Sequence, residues 1–191
     1  MKNDKMTHRG TVVLETERLI LRRFTLDDAE AMFHNWASDS EVTKYLTWPT
    51  HESVNISQYV IKDWLIDYES DNKYNWAIEL KSLGEPIGSI GAVKVDDNIK
   101  TVEIGYCIGK QWWHKGYTSE VLTRLVRFFI EEVGANRVQA RFDPRNINSG
   151  KVMMKAGLKY EGTLRQADRN NQGICDTSYY AILADDYFGK G

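Results

Sequence analysis

One stretch restricts the fold of this chain more than any other. Over 101–109, "TVEIGYCIG", Val102, Ile104, Tyr106 and Ile108 alternate with Glu103, Gly105 and Cys107, the two-residue period of a strand. After the connection "KQWWHKGY" the period lengthens to that of a helix. Val121, Leu122, Leu125, Val126, Phe129 and Val133 form one apolar face, and Gly134 supplies a stop. A strand that passes directly into an amphipathic helix belongs to a layered α/β domain, where the helix covers a sheet. The connection has its own chemistry. A helix N-terminus exposes unpaired N–H groups and positive dipole potential, and such groups bind phosphate. Gly116 has no Cβ to block an approaching anion or a left-handed turn. Lys115 adds charge, and Thr118 or Ser119 offers a hydroxyl. "HKGYTS" reads as a pyrophosphate cradle; a plain strand-to-helix turn, which needs only the one glycine, is the alternative.

The remaining chain supplies the other elements of such a domain. "LILRRF" (19–24) reads as a strand. "TLDDAEAMFHNWA" follows as a helix, with Thr25 and Asp28 at capping-box spacing and Ala29, Met32, Phe33 and Trp36 on one stripe. A second helix is expected over 53–70, with Ile56, Tyr59, Val60 and Trp64 repeating at three to four residues. Strands at 74–80 and 86–95 precede the one at 101–109, with turn chemistry at Gly84-Glu85-Pro86 and Asp96-Asp97-Asn98. A strand at 137–142, a short helix at 149–156 ending at Gly157, and a final hairpin complete the pattern. Counted this way, the chain is a single α/β domain: a mixed, mostly antiparallel sheet of about seven strands, flanked by about four helices. Residues 1–13 are expected as a flexible N-terminal extension.

Composition narrows the function. A formal charge of -2 on 191 residues gives no global attraction to nucleic acid or anionic membranes. No apolar run is long enough to span a bilayer, and the N-terminus lacks the apolar segment of a signal peptide. Cys107 and Cys175 show no pairing pattern, so free thiols and a cytoplasmic location are expected. His8, His34, His51 and His114 are scattered without ligand spacing, and no metal site is expected.

Four segments together resemble the GNAT superfamily of acyl-CoA N-acyltransferases, in particular the RimJ/RimL-like branch that acetylates N-termini of ribosomal proteins. "EIGYCIG" (103–109) resembles its fourth strand. "WHKGYT" is similar to its phosphate loop, Arg/Gln-x-x-Gly-x-Gly/Ala, with Trp113 in the Arg/Gln place, Gly116 on the central glycine and Thr118 in the Gly/Ala place. "NINSGKVMMKAGLKYEG" (146–162) resembles its Asn-x-x-Ser helix and Lys-x-Gly-hydrophobic exit, at Asn146, Ser149, Lys155, Gly157 and Leu158. "LETERLILRRFTLDDAEAMF" (14–33) resembles the usual opening, so the likeness runs along nearly the whole chain. Only Gly116 keeps its signature residue strictly, but main-chain groups supply most contacts in such a loop.

The resemblance implies acetyl-CoA as cosubstrate, its pyrophosphate on the backbone of His114, Lys115, Gly116, Tyr117 and Thr118. It implies that the fourth and fifth strands splay apart, freeing main-chain groups of Tyr106, Cys107 and Ile108 for the pantetheine amides. Asn146 would fix the following turn or touch the cofactor. Ser149 is the best candidate for the leaving thiolate, ahead of Tyr160; as an ordinary N-cap it would serve only the helix. Glu103 is a candidate general base, with a solvated strand glutamate as the alternative. Cys107, with no histidine nearby, reads as a small buried hydrophobe, which favours direct transfer over an acyl-cysteine. Asp39, Glu41, Glu69 and Asp71 are expected to border an acceptor cleft, with Trp36, Tyr45 and Trp48 lining it or covering the core; the same aromatic region leaves a homodimer open. The leading expectation is acetyl transfer to a primary amine, such as a protein or peptide N-terminus. A small-molecule amine (polyamine or aminoglycoside) and a non-catalytic acyl-CoA-binding module are the alternatives.

Overall fold

The computed structural model describes residues 5–189. Its centre is one eight-stranded sheet in the order β1-β2-β3-β4-β5-β6-β8-β7. The strands are β1 (Leu14–Glu15), β2 (Leu19–Arg22), β3 (Asn75–Leu80), β4 (Glu85–Asp96), β5 (Thr101–Ile108), β6 (Arg137–Phe142), β7 (Lys159–Asn170) and β8 (Gly173–Leu183). All neighbours are antiparallel except β5 and β6. The helices are α1 (Ala29–Met32), α2 (Ser40–Thr43), α3 (Val54–Asp67), α4 (Tyr117–Arg127), α5 (Ile147–Lys155) and α6 (Ala184–Tyr187). The strand missed by the sequence pattern is β1, two residues long and too short to show a period; the missed helices are the single-turn α2 and α6.

Around β3 to β5 the sheet is covered on both faces, which explains why nearly every residue of β5 is buried or half-buried. One face carries Trp76, Ile78, Ile90, Val102 and Ile104 against Val121, Leu122, Leu125, Phe128 and Phe129 of the long helical segment that starts with α4. The other presents Ala77 and Cys107 to Phe24, Met32, Trp36 and Ile61. Each large side chain so buried stabilises the fold by about 1.5–3 kcal/mol. Trp36 is fully buried, so it belongs to this second core and not to a surface patch.

Two features depend on tertiary contacts. In α3, Ile56 and Tyr59 are 38% and 67% exposed, whereas Ser57 and Ile61 are fully buried. The helix is apolar on more than one side, and the face that docks is the one opposite Ala29, Trp36 and Ala77. The expected flexible extension is tied down over residues 5–13; residues 1–4 lie outside the described residues. Met6 is buried, Thr7 N–H donates to Val133 O at 2.8 Å and Gly10 N–H to Asp71 O at 2.7 Å. Trp76 Nε1 donates to Val12 O at 2.6 Å. Among the described residues, no helix is long and apolar enough to cross a membrane.

Candidate active site

The parallel ladder between β5 and β6 joins only Thr101–Ile104 to Arg137–Ala140. β5 then continues along β4, while β6 leads away into the connection to α5. The gap between them is part of a cleft of about 1020 Å³. Glu103, Tyr106, Cys107, Ile108, His114, Gly116, Tyr117, Thr118, Asn146 and Ser149 all line it. Lys115, also expected there, does not line it.

The main-chain groups of β5 divide by register. Gly109 N–H donates to Ile87 O at 2.9 Å, and hydrogen-bonded pairs in an antiparallel ladder recur at every second residue. Cys107, opposite Ser89, therefore commits its main chain to β4. Tyr106 and Ile108 turn theirs toward the gap. The Ile108 carbonyl is already held by Trp113 Nε1 at 2.8 Å. Trp112 is buried in the larger core and Trp113 packs against it. Both tryptophans thus hold the end of the strand in place.

The loop into α4 has two left-handed residues, His114 at φ 61° and Gly116 at φ 81°. Such a conformation costs a non-glycine residue about 1–2 kcal/mol, so the loop holds His114 in a strained state. Left-handed residues ahead of a helix gather successive N–H groups into a concavity suited to an anion. Gly116 is the N-cap of α4 and makes no side-chain cap bond. Lys115 contributes its carbonyl, which accepts from Arg18 Nη1 at 3.0 Å. Arg18 went unnoticed in the sequence, because its partners lie about a hundred residues away.

On the opposite wall, α5 begins at Ile147 with Asn146 as N-cap. Ser149 is therefore inside the first turn and is not the cap. Gly150 allows this turn to close on β6: a Cβ there would lie 2.8 Å from the Phe142 ring. The Ser149 hydroxyl is 2.9 Å from the Tyr106 hydroxyl, which also lies 3.0 Å from Ser149 O. Burial pushes the Tyr106 phenol well above its usual range, outweighing the bond to Ser149, so it remains a donor at neutral pH. Burial also raises the Cys107 thiol, only partly offset by Ser89 3.3 Å away. That keeps Cys107 in the poorly nucleophilic thiol form. Tyr160 bonds Thr163 on the exposed face of β7.

Five carboxylates line the cleft, and cations hold four of them. Glu103 is only 7% exposed, not solvated. Its oxygens accept from Arg141 Nε at 2.8 Å and Gln139 Nε2 at 2.7 Å. Arg141 also pairs with Asp168, and Asp67 lies 3.6 Å from Lys73. Burial would raise the Asp143 carboxyl, but bonds from Arg145 and Asn170 outweigh it and hold the group at about 2. Glu41, at the exposed rim, is the fifth. Asp39, Glu69 and Asp71 do not line the cleft; Asp39 instead caps α2 by accepting from Glu41 N at 2.8 Å. Tyr45 and Trp48 line this end. Asn171, in the β7–β8 turn, fastens their loop through Nδ2 to Thr43 O and Trp48 O, each at 2.8 Å. No group of three or more metal-ligating side chains occurs among the described residues.

Comparison with known proteins agrees with this architecture. Residues 18–159 match the model of the acetyltransferase (GNAT) domain. The chain is 34% identical over 171 residues to the uncharacterized N-acetyltransferase YoaA of Bacillus subtilis (strain 168), covering 90% of this chain and 96% of that one. A ribosomal-protein-serine acetyltransferase of Escherichia coli (strain K12) is 29% identical over 101 residues, 53% of this chain and 56% of that one. The crystal structure of a GNAT-family acetyltransferase from Bacillus anthracis superposes with a TM-score of 0.80 at 27% identity, covering 91% of this chain and 99% of that chain. With the interrupted β5–β6 ladder and the left-handed loop ahead of α4, these matches establish that the chain belongs to the GNAT acetyltransferase family.

Proposed function

We propose that this enzyme transfers an acetyl group from acetyl-CoA directly to an α-amine, such as a peptide or protein N-terminus. The observation that carries the reading is the grouping, in one cleft, of three features: the open edge of β5, the concave loop before α4 and the Tyr106–Ser149 pair. Main-chain N–H groups from His114 to Thr118 suit a pyrophosphate, and the edge of β5 at the Tyr106 main chain and the Ile108 N–H suits the amides of an extended pantetheine arm. Ser149 then serves the leaving thiolate: Tyr106 donates to the Ser149 oxygen, and the Ser149 hydroxyl donates onward. No acyl-enzyme is needed, in keeping with the protonated, buried Cys107.

The acceptor class follows from proton bookkeeping. Glu103, which has the position expected of a base, is engaged by Arg141 and Gln139; we read it as the anchor of Arg141. A site without a free interior carboxylate favours an amine that is already partly neutral. At pH 7.5 about a third of an α-amine is neutral, against about one part in a thousand of an alkylammonium such as a polyamine. The likeness to a ribosomal-protein-serine acetyltransferase points the same way.

The test is free-thiol release from acetyl-CoA with a panel of peptides, polyamines and aminoglycosides. Faster turnover with peptide N-termini supports the proposal, and preference for a polyamine or an aminoglycoside overturns the acceptor assignment. Binding of acetyl-CoA without release on any amine favours a non-catalytic module. Absence of binding defeats both readings.

A further inference from the structure

We infer that Arg18 is a positioning residue for the donor's diphosphate, acting through the loop it braces and not by contact; the inference rests on the proposed use of acetyl-CoA. Arg18 precedes β2 and reaches across to the β5–α4 connection. Its Nη1 donates to Lys115 O at 3.0 Å, its Nε to Glu120 Oε2 at 2.7 Å and its main-chain N–H to Glu120 Oε1 at 3.0 Å. Nη2 completes the ion pair with Glu120 at 2.7 Å. The guanidinium carbon lies 4.4 Å from the centre of the Tyr117 ring. Every nitrogen of the fork therefore has a protein partner.

Two consequences bear on an anion bound at the mouth of α4. The first is geometric. In a trans peptide the C=O and the following N–H point in opposite directions. With Lys115 O held toward Arg18, the Gly116 N–H is turned away from it. Lys115, which supplies this carbonyl, lies between left-handed His114 and Gly116. The guanidinium lies close against the loop: a Cβ on Gly116 would be 3.5 Å from Nη2. The second is electrostatic. Glu120 sits in the first turn of α4. Burial acts to raise its carboxyl, but bonds from Thr16 and Arg18 prevail and keep it below its usual range. It is therefore a fixed negative charge beside the cradle. Arg18 neutralises it, and without Arg18 it would oppose a diphosphate.

The experiment compares two donors, acetyl-CoA and S-acetylpantetheine, which lacks the diphosphate. Loss of a charge-assisted contact predicts that Arg18→Ala raises KM for acetyl-CoA about tenfold or more. The kcat at saturation and all constants with S-acetylpantetheine should stay within twofold of wild type. Arg18→Lys keeps the charge and the main-chain bond to Glu120 Oε1, but a single ammonium cannot reproduce the fork that joins Lys115 O to Glu120 Oε2. It should show the same selectivity at a smaller size, and it carries the test if the alanine variant does not fold. An unchanged KM for acetyl-CoA in folded variants overturns the inference, as does an equal loss with both donors, which would mean general support of the fold. If wild type binds CoA but transfers no acetyl group, the proposed function fails. The Arg18 inference is then still decided by titrating CoA into wild type and variants.

Discussion

Replacing Ser149 with alanine should separate stability from chemistry, because the partner of its hydroxyl has a second acceptor. After Ser149→Ala, Tyr106 can still donate to the residue-149 carbonyl oxygen, 3.0 Å away, so no buried hydroxyl is left unpaired. Losing one neutral hydrogen bond costs about 0.5–1.5 kcal/mol, and the better helix propensity of alanine returns a few tenths of that. The melting temperature should fall by no more than about 4 °C. Turnover should fall much further. Removal of one preorganised donor to developing negative charge costs about 100-fold, or about 2.7 kcal/mol of barrier. Tyr106→Phe leaves the serine donor in place but unsupported, so a loss of about tenfold is expected. The double variant should be no slower than Ser149→Ala, since both residues serve one proton path. The assay is kcat from thiol release at saturating donor and acceptor, repeated with an aryl thioester whose thiol leaves more readily. The deficit should shrink with that donor. A folded Ser149→Ala enzyme with kcat within twofold of wild type would refute the reasoning, as would a deficit independent of the leaving group.

Other consequences can be checked separately. Gly116→Ala places a side chain at φ 81°, which should destabilise the protein by about 1–2 kcal/mol and weaken CoA binding; an unchanged melting temperature would contradict the left-handed loop. Cys107→Ala should fold and retain activity, with no acyl-thioester trapped on wild type, because the thiol is buried and protonated; abolished turnover would argue for a covalent path. Asp143 is held at about 2, below its usual 3.8, so it contributes stability that is complete above about pH 4 and lost as pH falls toward 2. Urea midpoints of wild type and Asp143→Asn should therefore converge over that window, and parallel curves would exclude the linkage.

Legibility differed by element for identifiable reasons. The alternation over 101–109 and the helical period from Val121 to Val133 appear as β5 and α4 with its continuation, because both are local patterns imposed by burial. The helix at α3 was legible, but its inward face was not. Ile56 and Tyr59 are as apolar as the residues that dock, and the choice between faces belongs to the layer beneath. Ser149 was read from its motif, but its partner Tyr106 is 43 residues away in sequence. Nothing local links them.

The sequence by itself determined the periodicities, the glycine at the mouth of α4 and the family motifs, since each depends on neighbours along the chain. Only the tertiary structure decided that Cys107 turns its main chain to β4, that Glu103 is taken by Arg141 and Gln139, and that Arg18 braces the loop through Lys115 and Glu120. These depend on strand register and on contacts between residues far apart in sequence. A hydrogen bond requires its partner within about 3 Å, and only the fold brings such residues that close.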